Sequence, residues 1–280
     1  MAIRNPTTSA SGFSLIAKTA NWNVWATDTF WQQHQSGFSD SAVGWLDSVL
    51  AQLSNDFAYS MTIPAGASWE SSRMDCVLDP SAQGGAHTGT VFGPSGVSVS
   101  PDSLYNSAYG IPQFWWYILT MHETVNVLTG SIASSWVWAD GSPLWVGSSP
   151  FPNMCDIVAS GEVGRKDVSA AQLSRMGGDP GVRLFLDIQR RYGWGVYQRL
   201  FSYVRINGIR DWTVHPEPLR TAIVVWFLSF AANLTTLATD ELLLDEFNMA
   251  LRSISGLQVP PSVYTQAQSL FPRPNVPHLY

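Results

Sequence analysis

The sequence predicts an α+β fold that is predominantly helical: an N-terminal α/β lobe with a small sheet over residues 1–161, then a C-terminal helical lobe over 162–280. Three observations predict it. Apolar residues recur at helical spacing through most of the second half, in 182–192, 195–207, 219–234, 240–254 and 263–270. Between 59 and 100 the texture changes: 59–63 and 97–100 alternate apolar and polar residues, and Gly84, Gly85, Gly89, Gly93-Pro94 and Gly96 punctuate the stretch. After these strands one strongly apolar helical segment runs from 113 to about 129, opened by Pro112 and closed near Gly130.

In chain order, residues 1–20 read as an irregular or strand-like lead. Helical spacing follows over 28–53. Phe30 and Trp31 come first, then Ser39 and Asp40 as candidate caps before Val43, Leu46, Val49, Leu50 and Leu53. The stretch 59–100 is a small sheet with turns, closed by Pro101-Asp102-Ser103. The helix from 113 begins Phe114-Trp115-Trp116-Tyr117-Ile118-Leu119, apolar all round, as expected of a helix buried through a domain. Residues 136–146 are of mixed character, 153–160 read as a helix, and 164–180 read as a polar, glycine-rich connection. No internal repeat or low-complexity linker interrupts the chain, and a cleft between the two lobes is the natural place for a site.

Composition narrows the function. Of 280 residues, 45% are apolar and 13% charged, which is a globular composition. A net charge of −6 and only two lysines, Lys18 and Lys166, leave no basic patch for nucleic acid or an anionic membrane. The apolar run 223–232 is too short to span a bilayer and reads as a core helix, so no membrane insertion is expected. Residues 1–13 carry no apolar stretch like a signal sequence, so the expectation is a cytoplasmic protein or a mature secreted one. Cys76 and Cys155 fit either one disulfide or two buried thiols. Thirteen Trp suit cores first, and second a pocket for flat or sugar-like ligands.

The residues that can carry chemistry are His122-Glu123-Thr124-Val125-Asn126, one ligand short of His-Glu-x-x-His. In the full motif two imidazoles one helical turn apart grip Zn²⁺ while the Glu polarises the bound water. Here His122 and Asn126 share a helix face, with Glu123 about 100° round from His122. A charged Glu and a His in so apolar a helix are costly to bury unless paired, which makes a functional role reasonable. A satisfied structural His is the competing reading. No Gly-x-Ser-x-Gly elbow or phosphate loop is present.

The surroundings of this motif resemble the gluzincin-like zinc metallopeptidases, including enhancin-like and basic-secretory-protein-like groups. Four stretches carry the resemblance: Gly84–Gly89 through 97–100, similar to the glycine-rich edge strand that precedes the metal helix; His122-Glu123-x-x-Asn126 itself; Trp138-Ala-Asp140-Gly141, similar to the downstream Trp-x-x-Glu-Gly segment; and 185–201 with its Gly193-Trp194 junction. The resemblance implies a gluzincin-like α/β lobe, a peptide or small-molecule substrate, and zinc as cofactor. In that family's terms Glu123 would be general base and His122 and Asp140 metal ligands; the candidate substrate contacts are Asn126, His87, Asp140, Trp138 and Trp116.

The chain also departs from that pattern. Asn126 offers a neutral amide oxygen where imidazole is expected, and Asp140 stands on a shorter arm than Glu, with Glu162 as fallback. Zinc catalysis takes three protein ligands and an open position, so the expectation is an altered or lost zinc site. Three functions remain: a metallopeptidase-like hydrolase; a metal-free enzyme using His122 and Glu123 as acid/base on a small apolar or aromatic substrate; and a non-catalytic binder of a small ligand or glycan.

Overall fold

Among the described residues six strands form one mixed sheet in the order β1-β2-β3-β4-β6-β5: β1 Ser9–Ala10, β2 Phe13–Lys18, β3 Trp22–Thr27, β4 Met74–Leu78, β5 Ala86–Thr90 and β6 Gly93–Val99. A computed structural model describes residues 9–19, 21–36, 43–44, 46–49, 73–82, 85–106, 109–110, 112–132, 150–176, 178–206, 215–216, 218–233, 244–245, 248–249, 252 and 258–272. It bears out a mixed α+β fold, mostly helical, with a small sheet and a C-terminal helical stretch. The chain divides into two compact units, one of Met1–Asn55 with Thr62–Leu128, the other of Asp56–Met61 with Thr129–Tyr280.

In the first unit, β3, β4 and β6 run parallel, β2 pairs antiparallel with β3, and β5 pairs antiparallel with β6 at the sheet edge. Strands β3 and β4 do not alternate in polarity because both their faces are covered. Residues 22–26 and 74–78 are all buried, the pattern of strands in the middle of a parallel sheet. That is why alternation alone left these two central strands unread. The expected strand at 59–63 lies outside the described residues. Helix α1, Asp28–His34, leaves β3 directly; Thr27 caps it by accepting from the Phe30 N–H at 3.2 Å. Residues 43–44 and 46–49 are also helical, with Val43, Leu46 and Val49 buried.

Register assigns the two faces of the sheet. Val24, Cys76 and Val97 are cross-strand partners and share one face; Trp25, Val77 and Ser98 share the other. Helix α2, Pro112–Ile132, lies on the first face, where Trp116 and Thr120 sit beside the Cys76 thiol. On the second face Phe13, Leu15, Trp25 and Val77 form a cluster, closed by Phe92 at 4.7 Å from the Trp25 ring. Beside it the buried Asp75 carboxylate accepts from Trp25 Nε1 at 2.8 Å and Asn23 Nδ2 at 3.3 Å, so a buried charge is met by donors. A turn of 3₁₀ helix, Pro101–Leu104, follows β6 where a closing turn is expected.

The second unit is helical: α3 Pro150–Glu162, α4 Lys166–Met176, α5 Pro180–Tyr192, α6 Gly195–Ile206, α7 Leu219–Asn233 and α8 Pro261–Leu270. Helix α4 corrects the expectation of a glycine-rich connection over 164–180. Its glycines, Gly164 and Gly178, flank the helix rather than fill it. Val168 and Gln172 alone are buried, one turn apart, so the apolar stripe is too thin to read. Asp179 caps α5 by accepting from the Gly181 and Val182 N–H groups. Phe151, Phe185 and Tyr197 pack edge-to-face across α3, α5 and α6, and Tyr197 Oη donates to the Phe185 carbonyl at 2.8 Å.

Candidate functional site

Helix α2 decides where chemistry can occur, because almost all of it is core. Of the side chains described from Phe114 to Val127, all are buried except Trp115, Leu119, His122 and Asn126. Those four follow a 4-3-4 spacing, which at 100° per residue confines them to an arc of about 60°. Among its described side chains the helix therefore has a single open stripe. His122 and Asn126 lie within it, and Glu123, 9% exposed, lies at its margin. The Asn126 amide Nδ2 points to Glu123 Oε2 at 3.5 Å, a long contact that brings amide and carboxylate together.

Position relative to the sheet comes from Leu119. It belongs to the same stripe, and a Cβ built on Gly85 would lie 3.4 Å from its Cδ1. Gly85 has φ +101, which favours glycine, and its carbonyl accepts from the Ser100 N–H at 2.7 Å. The stripe thus runs past the start of edge strand β5.

The expected residues divide accordingly. His122, Glu123 and Asn126 are brought together. Trp116 is fully buried, aimed at Cys76 under the sheet, and its neighbour Trp115 takes the open position instead. Tyr109 packs against Trp115 with ring centroids 5.1 Å apart. His87 is exposed on β5, and pairing with Ser98 puts it on the face α2 does not cover, so it does not join His122. Trp138 and Asp140 lie outside the described residues. Glu162 accepts from Trp194 Nε1 at 2.9 Å on the surface of the second unit. Arg190 and Arg191 are exposed on α5 and form a solvated face. Both cysteines are buried thiols rather than a disulfide.

Two members of the stripe, Trp115 and Leu119, were not singled out from the sequence. The signal was present: extending the His122/Asn126 face backwards by three and then four residues gives Leu119 and Trp115.

The described donors do not fit the zinc ion that the resemblance implies. Three converging protein ligands are needed. Among the described residues no group of three or more His, Cys, Asp or Glu side chains could hold a metal. Helix α2 offers one imidazole, one amide and a carboxylate already in contact with that amide. No helix among the described residues is long and apolar enough to cross a membrane. No family model matches the chain, and comparison with curated proteins and with solved structures returns no match.

Proposed function

We propose that the open stripe of α2 is the acid/base centre of a metallopeptidase-like hydrolase whose zinc site is altered or lost. One observation carries this reading. In a helix that is otherwise core, the partly open positions include the motif's His and Asn, with its Glu beside them. Three such polar groups on one edge of a buried apolar helix are costly to keep, and a functional role accounts for that cost.

In this mechanism Glu123 accepts a proton from a water held beside it. The hydroxide adds to the substrate carbonyl carbon, and Glu123 returns the proton to the leaving nitrogen as the C–N bond breaks. The Asn126 amide and His122 donate to the carbonyl oxygen as charge develops there, a contribution of order 10²–10³ in rate for one well-placed donor. Edge strand β5 favours a peptide substrate, since an extended chain can pair with a strand edge. Trp115 and Leu119 favour a second reading: the same His122/Glu123 pair acting without hydrolysis on a small apolar or aromatic molecule.

Metal analysis and a Glu123→Gln variant test the proposal. The expected result is peptide cleavage that survives chelation, reduced at least 100-fold by Glu123→Gln while substrate binding is kept. Cleavage products absent from the wild type, with ligand still bound, would convert the reading to a receptor. Stoichiometric zinc lost in His122→Ala would instead restore a metal mechanism.

A further inference from the structure

We infer that Trp115, braced by Tyr109, forms a subsite for an aromatic side chain of a peptide substrate, three residues away from the bond cleaved by the water that Glu123 activates. The inference rests on the hydrolytic reading of α2 and adds to it a substrate class.

Three observations meet here. Trp115 is half-buried on the open stripe of a helix whose next residue, Trp116, is fully buried, so the adjacent indoles face opposite duties. The Tyr109 ring lies 5.1 Å from that of Trp115 at 47°. Such a tilted pair leaves one indole surface set at a fixed angle, and a third ring adds to it in the offset or edge-on arrangements that aromatic groups prefer. The third observation is distance. Trp115 precedes Glu123 by eight residues, which is about 12 Å along the helix. An extended peptide covers about 3.3–3.6 Å per residue, so a ring seated on Trp115 sits about three residues from the reacting carbonyl. Leu119, halfway along, supplies an apolar wall for the intervening side chain.

The recognised chemistry is thus an extended peptide with Phe, Tyr or Trp at one fixed offset from the scissile bond. The lone apolar wall at Leu119 discriminates less, because one aliphatic contact has no directional preference.

The test uses the full chain and a set of soluble peptides of Ala, Ser and Gly, each ten residues long, with a single Phe placed at successive positions. Cut sites are read by mass spectrometry and kcat/KM is measured for each peptide. The expected outcome is cleavage at a constant offset of three residues from the Phe. The ratio of kcat/KM for that peptide to its Phe-free parent should fall about 10-fold in Trp115→Ala and in Trp115→Leu, and be largely kept in Trp115→Phe. Trp115→Leu preserves apolar volume, so the result does not hang on one variant's folding. A cut position indifferent to the Phe, or a ratio unchanged in both non-aromatic variants, overturns the subsite.

Binding separates this inference from the reaction it rests on. Affinity of the same dansyl-labelled peptides for Glu123→Gln is measured with and without Trp115→Leu. A tenfold loss confined to the Phe peptide supports the subsite even where the wild type cuts nothing, an outcome that would count against the hydrolase alone. No difference between Phe and parent peptides counts against the subsite, whatever the wild type cuts.

Discussion

Gly96→Ala should destabilise the sheet-bearing unit by more than its small size suggests. A Cβ on Gly96 would lie 2.5 Å from the Asp75 carbonyl oxygen and 2.8 Å from Thr90 Cγ2. Carbon and oxygen settle at about 3.3 Å or more, so close to 0.8 Å of movement is required. Thr90 can turn aside. The Asp75 carbonyl cannot, because β4 is held between β3 and β6 by parallel pairing on both sides. Overpacking of this kind costs about 3 kcal/mol. Loss of glycine's freedom in the unfolded chain offsets roughly 0.4–1 kcal/mol of that, leaving about 2 kcal/mol net. For a protein of this size that is a fall in Tm of about 4–8 °C. Gly44, a helical residue with no atom within 4 Å of its virtual Cβ, is the matched control. There alanine should raise stability by about 0.5–1 kcal/mol. Paired calorimetric melts decide the matter, and a Gly96→Ala protein that melts at or above the wild-type temperature refutes the argument.

Two further predictions concern titratable groups. Burial pushes the Cys76 thiol up to about 12, and Cys155 is buried as well. Since the thiolate is the reactive form, Ellman's reagent at pH 8 should find neither of the two thiols in the native protein and both in denaturant; a fast-reacting native thiol would contradict the burial. The Arg165 guanidinium beside Asp167, 2.8 Å away, holds the Asp167 carboxyl down at about 2, against an ordinary 3.8. A depressed folded-state value means that the pair's small contribution is present above about pH 4 and is lost as pH falls through about 2. Arg165→Gln should move the Asp167 midpoint, followed by NMR, back towards 4, and an unmoved midpoint would exclude the pairing.

Legibility in the sequence tracked how many faces each element buries. Helices α5 and α6 could be read because their buried apolar residues recur at helical spacing, Val182, Phe185 and Leu186 in the first and Val196 and Leu200 in the second. Helix α2 could be read by length and by Pro112. Strands β3 and β4 could not, since burial on both faces erases the period of two that marks a strand. Helix α4 could not for the opposite reason, having almost nothing buried. At the site, His122, Glu123 and Asn126 were legible as a spaced motif. The choice between Trp115 and Trp116 was not, because neighbouring indoles are chemically identical until the sheet beneath fixes which one turns inward.

The confinement of exposure to four positions among the described side chains of α2 also bears on how its chemistry can change over time. A substitution at 114, 117, 121 or 125 disturbs close-packed core and is selected against as a folding defect, whatever it does to a reaction. At 115, 119, 122 or 126, where the side chains are only partly buried, an exchange makes a smaller demand on packing. Catalytic identity and structural integrity are written at different positions of one helix, and the first can drift while the second stays fixed.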